Sequence, residues 1–293
     1  ERIAAAAMER DLTSNLMMEI DQTAIGSSHS GKICAKRDLG VDASDIKLYE
    51  RQMEDVKAYS KRLQRRMSDA LRDLQEGGVA HHKQFGNRIE ARYAYRPDQK
   101  FYANKKLPQD WPSMAISILV DLSTSMRGER LNSAMKATML LYDFATGLGI
   151  PVFVAGHNAV FGQVNYQIMA DFEKVSENDK YRLAYLSGCN RDGAAIEISA
   201  SLLAKRSEDV KLLFIISDGQ PNDGSYKGET AKKDIQDILT KYRRKGITTF
   251  ATAIGSDKDK IKAIYGDGYL DITDLTQFPK QLTNMVVKRI MRY

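Results

Sequence analysis

The strongest constraint on the fold is a texture that begins after Trp111, where apolar runs of strand length alternate with amphipathic helical patterns. "SILVDLS" and "LLFIISDG" are near-continuous apolar runs, the pattern of strands buried on both faces. The periodicities place strands at about 114–121, 151–157, 164–171, 210–217, 248–254 and 269–273. Helices fall at about 129–147, 178–186, 193–206, 229–245, 257–265 and 276–291. A short loop near Ala159 to Gly162 joins the second and third strands into a hairpin. The remaining strands are joined through helices, which makes their neighbours parallel. The expectation is an α/β fold: a doubly wound, mostly parallel, six-stranded Rossmann-like sheet in the order 3-2-1-4-5-6, with one antiparallel edge strand.

What precedes this region reads differently. Residues 1–45 form an N-terminal segment of helical runs broken by a flexible Ser/Gly stretch, "IGSSHSGK". Residues 46–111 carry a long basic helix and an extended linker. In the helix, Ile46, Tyr49, Met53, Val56, Leu63, Met67, Leu71 and Leu74 follow helical spacing. Ser44 or Asp45 caps its start, and Gly77-Gly78 ends it. Its single apolar stripe predicts packing on the 112–293 domain or on another subunit. Residues 79–112 read as irregular or extended, with Pro97, Pro108 and Pro112 as punctuation.

The sheet predicts where a site would lie. In doubly wound sheets, ligands bind beyond the carboxyl ends of the strands where the strand order reverses, here between the first and fourth strands. Both of those strands end in a carboxylate, Asp121 and Asp218. Two acids side by side in a cleft repel, so they need protons or a cation. Ser123 and Ser125 add neutral hydroxyl oxygens on the loop after Asp121. Hard oxygen donors without sulfur or imidazole describe a Mg²⁺ or Mn²⁺ site. A third loop, "GCNRDGAAI", opens the helix that leads into the fourth strand, and from it Asn190 and Asp192 both reach toward the ion, with Gly193 relaxing the turn. Cys189 reads as a small packing residue. His81, His82 and His157 lack partners at metal spacing and read as surface or core residues, and Asn222 and Asp223 read as a Pro-initiated turn.

These elements resemble a known family. "DLSTS" is similar to the D-x-S-x-S element of the metal-ion-dependent adhesion site (MIDAS) in von Willebrand factor A (VWA) domains, and "ISDG" to the family's second Asp. The loop with Asn190 and Asp192 stands where the family usually has Gly-Gly-Thr-Asn. Counted back from Ile196, Asn190 falls on the Thr position and Asp192 two beyond it, so both remain candidates for the ligand. "NRDGAAI" and "LLFIISDGQPNDGSYKG" further resemble the nitric oxide reductase activation proteins of the NorD type and the CobT subunit of cobaltochelatase. That resemblance implies a Mg²⁺-dependent protein-interaction module. It also implies a non-catalytic partner of a MoxR-type AAA+ ATPase in remodelling, activation or metal insertion of a client enzyme. In that family the ion's open position takes a Glu or Asp carboxylate of a protein partner.

Composition sets the alternatives. No apolar run approaches a membrane span, and no signal peptide is legible, although the chain starts without Met. Two cysteines are too few for a disulfide framework, so a cytoplasmic setting is expected. The net charge of +6 is concentrated between Lys57 and Lys106, which hold 13 Lys or Arg against 5 Asp or Glu. This block keeps an RNA-binding role as an alternative, beside an acidic protein partner or a merely solvated helix face. A metal-dependent hydrolase is the other alternative, but no general base, nucleophile or phosphate loop accompanies the carboxylates. No G-x-x-x-x-G-K-[ST] string occurs, so the chain is not itself the ATPase.

Overall fold

A strand buried on both faces sends alternate side chains into two separate cores, and the strand ending at Asp121 does this. Met114, Ile116, Ile118 and Val120 enter one core, while Ala115 and Leu119 enter the other. The computed structural model describes residues 2–24, 31–37, 41–75, 78–95, 97–106, 112–160, 163–173, 179–184, 192–218, 222–223, 226–253, 258–265, 269–272 and 275–290. In chain order the elements begin with α1 (Arg2–Ala24), β1 (Ile33–Lys36), α2 (Ala43–Gln75), β2 (Gly78–Lys83), β3 (Arg88–Ile89) and β4 (Tyr102–Lys106). They continue with β5 (Met114–Asp121), α3 (Glu129–Gly147), β6 (Val152–Val160), β7 (Gln163–Ala170), a 3₁₀ segment (Asp179–Ala184), α4 (Asp192–Ala204) and β8 (Val210–Ile216). The last are β9 (Asn222–Asp223), β10 (Tyr226–Lys227), α5 (Gly228–Arg243), β11 (Ile247–Ala253), α6 (Lys258–Tyr265), β12 (Tyr269–Asp271) and α7 (Phe278–Ile290).

The central sheet runs β1-β7-β6-β5-β8-β11-β12. The six expected strands occur in the expected order, with β6 and β7 antiparallel and the β5, β6, β8, β11 and β12 neighbours parallel. The expectation of an antiparallel edge strand needs correction. β1 adds a seventh strand, parallel to β7, and takes the edge. The expected helix at 178–186 is a 3₁₀ segment over Asp179–Ala184.

The long helix is part of the core. Val56, Leu63, Met67 and Leu71 of α2 are buried in the layer that also holds residues of α3 and α7. Each such side chain contributes about 1.5–3 kcal/mol by leaving water. Two polar links fix its position on α3. Ser60 Oγ donates to Asp143 Oδ2 at 2.6 Å, and Gln64 Nε2 donates to the Asp143 carbonyl at 2.9 Å. The start of α2 is capped by Asp42, not by Ser44 or Asp45. Asp42 Oδ1 accepts from the backbone N–H of Ser44 and Asp45, and Asp45 Oδ2 accepts in return from the Asp42 N–H, a reciprocal capping arrangement. The opposite face leaves Lys57, Lys61, Arg62, Arg65 and Arg66 exposed. Residues 78–106 are more ordered than expected: β2, β4 and β3 form a three-stranded antiparallel sheet.

A buried ion cluster attaches the N-terminal segment. Arg37, just past β1, places Nη2 3.2 Å from Asp179 Oδ1 and Nη1 3.8 Å from Asp171 Oδ2, and it donates to Thr13 Oγ1 at 3.3 Å. Arg182 pairs with the same Asp179 oxygen. By register, β7 runs back against β6, so Asp171 lies at the end of the sheet away from Asp121. Among the described residues no helix is long and apolar enough to cross a membrane.

Candidate functional site

β5 and β8 lie side by side and end together, which brings Asp121 and the Ser217-Asp218 pair to one edge of the sheet. α4 begins at Asp192, and its first turn meets the same edge. Asp121, Asp192 and Asp218 are all fully buried. One hydroxyl ties two of them: Ser217 Oγ donates to Asp121 Oδ2 at 3.1 Å and lies 3.5 Å from Asp192 Oδ2. A serine hydroxyl carries one proton, so the shorter contact takes it.

The D-x-S-x-S loop folds back on its own carboxylate. Asp121 Oδ1 accepts the Ser123 backbone N–H at 2.8 Å, and the Ser123 and Ser125 hydroxyls are 2.9 Å apart. Ser123 is buried and Ser125 is exposed, so the hydroxyl pair leads from the buried carboxylates to solvent. Gly128 closes the loop with φ +81°, a backbone that L side chains rarely adopt, and α3 starts at the next residue.

The electrostatics are unbalanced. Burial is the main cause that raises the Asp192 pKa well above the ordinary carboxylate value; the negative charges of Asp121 and Asp218 raise it further, and the Ser217 hydroxyl opposes them. Asp192 Oδ1 has no hydrogen-bond partner among the described residues. Its neighbour at 3.5 Å is Nε2 of His157, whose imidazole is completely buried. Burial lowers the His157 pKa to about 3, so at neutral pH this contact is not an ion pair. Tyr265 is buried near the same carboxylates, and burial, with Asp192 next, raises its pKa well above normal.

Four of the expected site residues therefore cluster with Asp192: Asp121, Ser123, Ser125 and Asp218. Asn190 lies outside the described residues, as does Cys189. Asn222 and Asp223 belong to a two-stranded ribbon with Tyr226 and Lys227. Gly193 is needed for space and not for turn freedom: a Cβ there would collide with the Tyr226 hydroxyl, which donates to Asp234 Oδ2 at 2.5 Å.

Sequence reading missed Ser217, His157 and Arg130 as members of the site. Ser217 precedes Asp218 directly, and His157 pairs with Asp121 across the β5–β6 register, a relation only strand alignment could reveal. Arg130, in the first turn of α3, places Nη1 3.7 Å from Asp218 Oδ2.

The residues fit a hard divalent cation. A cation would relieve the repulsion among three buried carboxylates and would give Asp192 Oδ1 a partner. Among the described residues no cluster of three or more His, Cys, Asp or Glu side chains is arranged to hold an ion unaided. The Ser123 and Ser125 hydroxyls are the neutral oxygens that stand beside these carboxylates.

Comparison with known proteins agrees with this architecture. The family model for the von Willebrand factor type A domain matches residues 115–268, and the chain belongs to that family. An uncharacterized protein of Pseudomonas aeruginosa, PA0525, is 26% identical over 59% of this chain and 30% of its own length. Protein NorD of Brucella melitensis is 27% identical over 58% of this chain and 29% of its own. An uncharacterized Bacillus subtilis protein, YojO, is 22% identical over 82% of this chain and 40% of its own. The chain thus spans less than half the length of the curated relatives it matches.

Proposed function

Taking membership of the VWA family as the premise, we propose that this chain is a Mg²⁺- or Mn²⁺-dependent protein-interaction module without turnover of its own. The observation that carries the proposal is the buried triad of Asp121, Asp192 and Asp218 opening to solvent through the Ser123 and Ser125 hydroxyls. Ser123 and Ser125 would hold the ion directly. Asp121 and Asp218 would act through water, and Asp192 or Asn190 would complete the set. The bound ion supplies an open coordination position for a Glu or Asp carboxylate of a protein partner. The chain's own residues fix the hydroxyls and hold the carboxylates in place: the Ser123 N–H and the Ser217 hydroxyl both donate to Asp121.

The proposed partner is a MoxR-type AAA+ ATPase, and the proposed role is that of its cytoplasmic adaptor in activating, remodelling or metallating a client enzyme. Support comes from the similarity to Protein NorD and from the sequence resemblance to that group. Support for a binder over a hydrolase is the state of His157, the imidazole beside the carboxylates. It is buried and held neutral, so it is poorly placed to exchange protons with a substrate in solvent.

Calorimetry with Mg²⁺ and Mn²⁺ on wild type and Asp121→Ala tests the site, paired with capture of the cognate ATPase with and without EDTA. The expected result is loss of both ion and partner binding in Asp121→Ala, with unchanged circular dichroism, because Asp121 is the last residue of β5 and its removal relieves repulsion among the buried carboxylates. Equal ion binding by the two proteins would overturn the proposal. Metal-dependent phosphoester hydrolysis by the purified chain would overturn its non-catalytic part.

A further inference from the structure

We infer that Arg130 is a built-in counter-cation of the carboxylate site. Its guanidinium holds the site mouth while no divalent ion is bound, yields when one binds, and then faces the carboxylate of the partner. This inference rests on the metal-binding reading above and adds to it a residue that sets ion affinity and partner charge.

Three observations carry it. The first is position. Arg130 Nη1 is 3.7 Å from Asp218 Oδ2 and donates to the Ser125 carbonyl at 3.4 Å. One nitrogen therefore spans the two loops that bring the proposed ligands together. The second is burial. The Asp218 side chain is 0% exposed and that of Arg130 is 35% exposed, so the guanidinium can leave toward water while the carboxylate cannot. The third is helix polarity. Arg130 stands in the first turn of α3, beside Glu129, where the helix dipole favours acids and disfavours cations. The energetics of the helix alone do not place a cation there. The neighbouring buried carboxylates do.

The charges give the sequence of events. With Asp121, Asp192 and Asp218 pushed together, the ion-free site is stabilised by a positive group, and Arg130 supplies one. A divalent ion and a guanidinium beside the same carboxylates repel each other, so their occupancies compete. Once the guanidinium has turned outward it stays tethered at the rim. A partner carboxylate that places one oxygen at the ion's open position can then offer the other to one N–H of Arg130, a single charge-assisted hydrogen bond.

A purely structural clasp would behave differently: its loss would loosen the loops and weaken ion binding. The sign of the effect therefore decides. Mn²⁺ binding to the full chain is measured by calorimetry at constant ionic strength for wild type, Arg130→Gln and Arg130→Lys, each with and without acetate as the carboxylate probe. Arg130→Gln is expected to bind Mn²⁺ about two- to tenfold more tightly, the scale of removing one partly exposed charge beside the ion. Arg130→Lys should stay near wild type. Acetate should raise the apparent Mn²⁺ affinity of wild type more than that of Arg130→Gln. Unchanged or weaker Mn²⁺ binding in Arg130→Gln overturns the inference. The Asp121→Ala variant separates the two failures. If it loses Mn²⁺ while Arg130→Gln equals wild type, only the role of Arg130 falls. If Mn²⁺ binding survives Asp121→Ala, the metal reading falls and takes the inference with it.

Discussion

The two ends of the central sheet each hold a buried cluster of charges, and the two are built on opposite plans. At one end, Asp171 and Asp179 face Arg37 and Arg182. At the other, Asp121, Asp192 and Asp218 face one another, with a neutral His157 beside them and Arg130 at the rim. Burial is the largest effect in both places and pushes the carboxyl groups of Asp171, Asp179 and Asp192 above their ordinary range. The difference lies in what comes next. Around Asp171 and Asp179 the guanidinium groups pull the values back down, whereas around Asp192 the neighbouring carboxylates drive the value further up. Opposed charge makes a clasp; like charge makes a site that a cation would complete.

The largest effect should come from breaking the clasp. Arg37→Met leaves Asp171 and Asp179 buried beside less positive charge, and should cost about 3–5 kcal/mol, the usual penalty for removing one partner of a buried pair. Urea unfolding at neutral pH would measure it. Pairing Arg37→Met with Asp179→Asn should recover much of the loss, and a double variant no better than the single would refute the clasp.

The carboxylate end should respond in the opposite direction. Asp192→Asn removes a group whose folded pKa is raised, so in EDTA the variant should be more stable than wild type at neutral pH by roughly 1–3 kcal/mol. The pH dependence follows from the same shift. A carboxyl with a raised folded pKa adds stability that is fully present below its unfolded value and is lost as pH rises through the folded value. Ion-free wild type should therefore lose thermal stability as pH climbs from the ordinary carboxylate range toward neutrality. Asp171 and Asp179 add to that trend with the same sign, so Asp192→Asn should flatten the slope in part. Mg²⁺ should stabilise wild type at neutral pH and stabilise Asp192→Asn less. Thermal scans across pH with and without Mg²⁺ would show both effects, and an ion-free slope identical in the two proteins would refute the assignment.

The smallest effect is the control. Lys205 and Glu19 approach to 2.6 Å, closer than the Arg37 contacts, but their side chains are 56% and 36% exposed. Lys205→Ala should change stability by less than about 1 kcal/mol, because a solvated pair gains little. A loss rivalling that of Arg37→Met would mean that proximity, and not burial, separates the clusters.

The sequence carried the sheet because strands such as β5 and β8 are buried on both faces and so are written as unbroken apolar runs. It carried Asp121 and Asp218 for the same reason: a carboxylate ending such a run stands out. It did not carry β1. Four residues, "ICAK", have no periodicity of their own and become a strand only by pairing with β7. The three-stranded sheet at 78–106 escaped notice because its strands are short and rich in Lys and His. His157 escaped because spacing along the chain says nothing about register across a sheet, which sets it opposite Asp121. Arg130 reads on the sequence as one more solvated cation on a helix. Its meaning depends on where β8 ends.

The placement of α2 also has a consequence in time. Its buried stripe packs partly on α3 and partly on α7, and α7 follows roughly two hundred residues after α2 ends. At synthesis rates of about 5–20 residues per second, α2 waits on the order of 10–40 seconds for the second half of its cover. During that interval α3 can shelter part of the stripe while the remainder faces water. The emerging chain is therefore most prone to self-association in the interval when most of the sheet has emerged and α7 has not.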